Sequence, residues 1–150
     1  MKIIKILNVC SVSALLFCGC TDKSESDLFT LQEANECLLA SDKNTVLDCV
    51  EWIKKAEATK DAKKFDEYFE KAHDPVQELY VQSLDDDSLN GKKRSAALAY
   101  VLIDFTYNHY TGSCAKWVLS AQRLGLIEAH RMVADPPEKL RGYLLPPDQQ

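Results

Sequence analysis

Residues 96–105 read Ala-Ala-Leu-Ala-Tyr-Val-Leu-Ile-Asp-Phe, and only Asp104 interrupts their apolar character. The run is long for a buried strand and rich in alanine, the strongest helix former. It therefore predicts a helix buried on every side, at the centre of the domain. Such a helix must be covered by others. The flanking sequence supplies helical spacing on both sides, and no segment sustains the period-two alternation of a strand. The expected fold is all-α, a compact helical bundle of antiparallel helix pairs with six to eight helices.

Upstream, residues 85–91 (Asp-Asp-Asp-Ser-Leu-Asn-Gly) form the clearest loop. Before it, Asp74, Pro75 and Gln77 spell a helix start, with Asp as cap and Pro in the first position. The apolar face of that helix is Val76, Leu79, Tyr80 and Leu84. A preceding helix near residues 61–72 sets Phe65, Tyr68, Phe69 and Ala72 on one stripe. Farther back, Thr30 with Glu33 three residues on makes a capping box. It opens a helix carrying Leu31, Ala34, Cys37 and Leu38. Polar Ser41, Asp42, Lys43 and Asn44 then predict a turn, and Val46, Cys49, Val50, Ile53 and Ala56 trace the next helix.

Downstream, Thr111, Gly112 and Ser113 break the chain, and residues 114–124 resume it with Trp117, Val118 and Ala121. Gly125 fits a C-terminal stop, a short helix follows over 126–133, and Pro136-Pro137 ends the regular region. Residues 29–143 are thus one helical domain, and residues 144–150, with Pro146-Pro147, a loose tail.

Residues 1–20 differ from the rest: MKIIKILNVCSVSALLFCGC. Lys2 and Lys5 precede an apolar stretch over residues 6–18, the length of a signal-peptide core and short of a membrane span. The end of the run, Leu16-Phe17-Cys18-Gly19-Cys20, resembles a bacterial lipoprotein lipobox, with Gly19 before Cys20 and Phe17 where Leu is usual. The resemblance implies cleavage after Gly19 and lipidation of Cys20, with residues 20–28 as tether. Thr21, rather than Asp, after the lipidated Cys implies the outer membrane, and the body is expected to face the periplasm. Removing residues 1–19 discards two lysines and no acid, so net charge moves from −5 to −7, with 16 Lys and Arg against 23 Asp and Glu. So acidic a body disfavours nucleic acid as a partner.

Of six cysteines, Cys37, Cys49 and Cys114 remain after processing and lipidation. An oxidising compartment favours pairing. Cys37 and Cys49 lie symmetrically about Lys43; if residues 41–44 turn between antiparallel helices, the two thiols face each other as a disulfide. The other reading is two buried free thiols on helix faces. Cys114 is left as a small core residue.

Catalytic signals are sparse. No phosphate-binding glycine loop, zincin motif or nucleophile elbow occurs, and no cofactor is expected. His73, His109 and His130 lack ligand partners at metal spacing, and no metal is expected. Asp85, Asp86 and Asp87 do not fit a calcium loop. Asp104, inside an apolar run, must be hydrogen-bonded, paired or neutral if buried.

Residues 97–130 resemble a single degenerate Sel-one-like repeat, a tetratricopeptide-class helix pair. Ala99 and Leu102, Tyr110 and Gly112, then Ala115, Trp117, Ala121, Gly125 and Ala129 carry the likeness; the usual Leu-Gly pair is absent and the connecting loop is short. The resemblance implies a binding module and no enzyme. Some immunity proteins of type VI lipase effectors are similar in carrying such repeats, so the expected partner is another protein: a toxin neutralised in the envelope, or, for a pilotin-like accessory lipoprotein, an envelope assembly component. Asp85, Asp86 and Asp87 are the candidate partner contacts.

Overall fold

The structure is a computed structural model that describes residues 27–146 and 148. Cys20, its lipobox and most of the tether lie outside the described residues. The described part is all-α: α1 (Leu31–Ala58), α2 (Ala62–Ser83), α3 (Leu89–Thr106), α4 (Thr111–Leu124), α5 (Ile127–Ala134), a 3-10 turn (Glu138–Leu140) and α6 (Arg141–Leu144). The helices pack as contacting antiparallel pairs, with α3 against α1, α2 and α4.

The apolar run is the centre, as its composition implies. Ala96, Ala97, Leu98, Ala99, Leu102 and Phe105 are fully buried. Two buried hydroxyls on this helix find partners inside the core: the Ser83 and Ser95 hydroxyls are 2.6 Å apart, and the Thr106 hydroxyl donates to the Leu102 carbonyl at 2.6 Å. Its N-terminus is capped by Ser88, whose Oγ accepts from the Gly91 N–H at 3.1 Å. Helix α3 therefore starts seven residues before the apolar run, and the loop expected over 85–91 shortens to 84–88.

Two expected boundaries are absent. Residues 41–44 do not turn: α1 runs through them with one non-helical residue, Asp42 (φ −127°, ψ 19°), where the helix kinks. The Asp42 carboxylate is clipped by Arg94 of α3, with Nε at 2.5 Å and Nη2 at 3.1 Å. A bidentate pair of this kind holds a bend more firmly than a polar turn would. Likewise Asp74 and Pro75 do not start a helix, because α2 continues through Pro75. Proline removes the N–H that would bond the Lys71 carbonyl, and Lys71 lies on the exposed side of the helix. On the opposite side Phe69, Ala72 and Val76 form one buried stripe across the proline.

Other local signals hold. The Thr30 amide donates to Glu33 Oε2 at 2.7 Å and the Glu33 amide to Thr30 Oγ1 at 3.3 Å, a complete capping box. This bond, with Lys93 nearby, holds the Glu33 carboxyl below its usual range. Asp61 caps α2 through the amides of Lys63 and Lys64. Gly125 ends α4 at φ 108°.

That glycine also receives the start of the domain. The Phe29 amide donates to the Gly125 carbonyl and the Ile127 amide to the Phe29 carbonyl, both at 3.0 Å. Glu128 Oε2 then accepts from the Leu31 amide at 2.9 Å, so α5 helps cap α1. The Phe29 ring is 1% exposed. A Cβ on Gly125 would stand 2.6 Å from the Asp27 carbonyl oxygen and 3.2 Å from the Phe29 ring, whereas nothing lies within 4 Å of one on Gly142. Gly125→Ala combines this collision with a left-handed φ, so we expect it to cost at least about 2 kcal/mol in denaturant unfolding. Gly142→Ala should stay within about 0.5 kcal/mol; equal effects from both would show that the Phe29 segment is not held at this turn.

Candidate functional site

Two places outside the core gather unusual side chains, one at each end of α3. At its N-terminal end, the α2–α3 corner carries Asp85, Asp86 and Asp87, all exposed. They are not equivalent. Asp86 is built into the corner: its Oδ1 accepts from the Ser88 amide at 3.0 Å, and the Ser88 side chain and then this amide hold its carboxyl below the usual range. Its backbone carbonyl lies so close to Gly91 that a side chain there would collide. Asp85 and Asp87 carry no such duty. Beside them, Val81 (58% exposed), Leu84 (47%) and Leu89 (48%) face solvent. Leu84, expected on a buried helix face, instead lies past the last residue of α2. Apolar side chains in a polar rim characterise interaction surfaces.

The other end joins the C-termini of α1 and α3 to the N-termini of α2 and α4. An open cleft of about 700 Å³ lies there, lined by Glu57, Thr59, Lys60, Asp61, Phe65, Asp66, Asn108 and His109 among others. His109 meets Phe65 in a tilted contact with ring centroids 4.7 Å apart, and its Nε2 is 3.9 Å from Glu57 Oε1, outside hydrogen-bond distance. Burial, then the charge and hydrogen bond of Asp66 and the charge of Glu70, push the Tyr110 hydroxyl above its ordinary range.

A ladder of rings runs between these ends along α2 and α4. Tyr80 meets Trp117 at 5.0 Å, Trp117 meets His73 at 6.4 Å, His73 meets Phe69 at 5.4 Å, and Phe69 meets Tyr110 at 4.8 Å. His73 and His109 are thus packed into aromatic contacts, and His130 is exposed on α5. Among the described residues no group of three or more His, Cys, Asp or Glu could hold a metal ion. Asp104 is half-buried on α3. Burial pushes the Tyr100 hydroxyl up to about 12, and the negative charges of Asp104 and Glu128 add to it. None of these helices is long and apolar enough to cross a membrane.

The cysteines differ from the expected pairing. Cys37, Cys49 and Cys114 are free thiols. The pairing of Cys37 with Cys49 required a hairpin at residues 41–44, and one continuous helix stands there instead. Twelve residues along a helix amount to roughly 18 Å of rise, far beyond the ~7 Å limit for bridged Cα atoms. Cys37 Sγ lies 3.8 Å from Asn90 Oδ1, while Cys49 is buried at 2% exposure. Burial pushes the Cys49 and Cys114 thiols up to about 11 from 9.0. A raised thiol pKa stabilises the fold below pH 9 and ceases to do so as pH rises from 9 to 11. Unfolding free energy should therefore fall across that window, and less steeply in Cys49→Ala/Cys114→Ala. At pH 8 an iodoacetamide pulse on the native chain, read by site-resolved mass spectrometry, should modify Cys37 well before Cys49 or Cys114. Protection of Cys37 together with Cys49 would restore the disulfide.

No family model matches the chain, and no curated protein or solved structure is similar to it.

Proposed function

We propose that this chain is a lipid-anchored envelope lipoprotein whose helical body binds another protein, as an immunity protein neutralises a secreted toxin. The observation that carries the reading is the α2–α3 corner, where Val81, Leu84 and Leu89 remain exposed around Asp85 and Asp87. Apolar contact supplies affinity at such a surface, and the carboxylates steer and orient a basic partner. The net charge of −5 works in the same direction.

The lipobox-like residues 16–20 support the address: an anchor at Cys20, in the outer membrane, with the body in the periplasm. The likeness of residues 97–130 to a Sel-one-like repeat supports a binding module; it falls on the antiparallel pair α3 and α4 with α5 following. Small residues there, Ala99, Ala115, Ala121 and Ala129, are buried as close helix packing requires. Nine residues from Cys20 to Phe29 reach roughly 30 Å at full extension. Because Phe29 docks at the same end of the bundle as the acidic corner, the partner is met close to the membrane.

Two measurements test this. Cys20→Ala should abolish palmitate labelling of the precursor; continued labelling removes the anchor. For the corner, the immobilised full chain should retain a one-to-one partner from envelope extract, and Asp85→Lys/Asp87→Lys should weaken retention by roughly tenfold or more. Loss of a secreted hydrolase's activity on binding establishes immunity. Retention of an envelope assembly component instead assigns the accessory, pilotin-like role. Equal retention by the charge-reversed chain sinks the corner as the contact.

A further inference from the structure

The cleft at the far end of the bundle has a chemistry of its own. Three carboxylates, Glu57, Asp61 and Asp66, line it against one lysine, Lys60. Asp61 is committed to the α2 amides, at 2.9 and 3.1 Å, and Asp66 accepts from the Tyr110 hydroxyl. Glu57, among the described residues, faces the imidazole of His109 at 3.9 Å, and both side chains are about a quarter exposed (25% and 27%). A carboxylate so placed has acceptor capacity to spare. Across the cleft the Phe65 ring, tilted against His109, offers an aromatic surface. Carboxylates beside an aromatic face, in an opening rather than in the core, favour an organic cation.

The molecule already uses this recognition twice nearby. Lys139 Nζ sits 5.2 Å from the Tyr107 ring centroid and donates to Asn108 Oδ1 at 3.1 Å, on a cleft-lining residue. Lys55 and Lys71 lie 4.1 and 4.6 Å from the centroid of Trp52. A metal ion is the poorer candidate, since among the described residues no three His, Cys, Asp or Glu side chains come together to hold one. Between cations, guanidinium suits the cleft better than ammonium: it is flat, weakly hydrated, stacks on rings and forks onto carboxylates.

We propose that this cleft binds a guanidinium group, stacked on Phe65 and held by the Glu57 and Asp66 carboxylates. The group belongs either to an arginine side chain or to a free alkylguanidine. The proposal does not depend on the acidic corner, which stands at the opposite end of α3, roughly 27 Å away along an 18-residue helix.

The experiment follows the histidine ring protons of the full chain in a nonionic detergent during titration. The probes are ethylguanidinium chloride and the blocked tripeptide acetyl-Gly-Arg-Gly-amide, with sodium chloride at matched ionic strength. The expected result is a saturable shift of the His109 resonance, with His130 unmoved. Glu57→Gln/Asp66→Asn should weaken it about tenfold, and Phe65→Leu several-fold. Glu57 and Asp66 are surface residues, so an unchanged His130 resonance and circular dichroism will show that the double variant folds. Saturation by both probes assigns an arginine side chain, and saturation by ethylguanidinium alone assigns a free cation. A shift that sodium chloride reproduces, or one that persists undiminished in the double variant, overturns the proposal. Asp85→Lys/Asp87→Lys should leave the titration unchanged, which separates its failure from that of the partner-binding corner.

Discussion

Helix α3 needs cover on every side, and this requirement organises the rest of the chain. From Ser95 to Thr106 only Tyr100 and Asp104 escape full burial. A helix this apolar has no stable exposed orientation. Its alanines, Ala96, Ala97 and Ala99, are small enough for neighbouring backbones to come close. Helices α1, α2 and α4 surround it. The hydroxyls and the thiol caught inside are satisfied locally: Thr106 bonds back to its own helix, Ser95 bonds across to Ser83, and Cys114 Sγ donates to the Ile103 carbonyl at 3.6 Å. The covering helices then have their lengths and bends set by what remains to be closed. The first half of α1 would overshoot α3 if straight. The kink at Asp42, clipped by Arg94, sends it across the N-terminal end, where Lys93 meets Glu33 and where Leu31 and Phe29 dock against α5 and the Gly125 turn.

What was legible in the chain divides along the range of the interactions. The central helix, the Thr30 box and the Gly125 stop are signals contained within a few residues, and each stands where the sequence puts it. The two misread boundaries have the same cause. Ser41 to Asn44 and Asp74-Pro75 are local helix-breaking signals, worth up to about 3 kcal/mol for an interior proline. Each is flanked by buried residues on one continuous stripe, Leu38 with Val46 and Ala72 with Val76. Burying several such side chains contributes about 1.5–3 kcal/mol apiece, so tertiary packing decides. Once α1 is continuous, the cysteine pairing built on a hairpin goes with it.

Of the two candidate sites, the acidic corner could be read in advance because it is a contiguous loop. Its apolar companions could not: Leu84 fits a helical stripe by spacing, and only the early end of α2 at Ser83 turns it outward. The cleft had no sequence signature at all. Glu57 with Phe65 and Asp66 flanks the α1–α2 connection and His109 sits on the α3–α4 connection, and they meet only because α1 and α2 form one hairpin and α3 and α4 another with their turns side by side. His109, read from the sequence as an isolated histidine, acquires its surroundings entirely from that closure.

The aromatic ladder explains why such a cleft can exist on so small a body. Helices α2 and α4 flank α3 without packing closely on each other, and large rings bridge the gap between them. Trp117, on the residues that resemble a repeat, is only half-buried because its opposite face is met by Tyr80 and His73 rather than by another helix. Rings fill width with few rotatable bonds, so they hold two helices apart at small entropic cost. An aliphatic filling would let α2 settle toward α4. The open wedge beyond the ladder, bounded by Phe65 and His109, would close with it. The same rings that complete the core therefore keep carboxylates and aromatic faces exposed together at the end of the bundle distant from the Phe29 docking point.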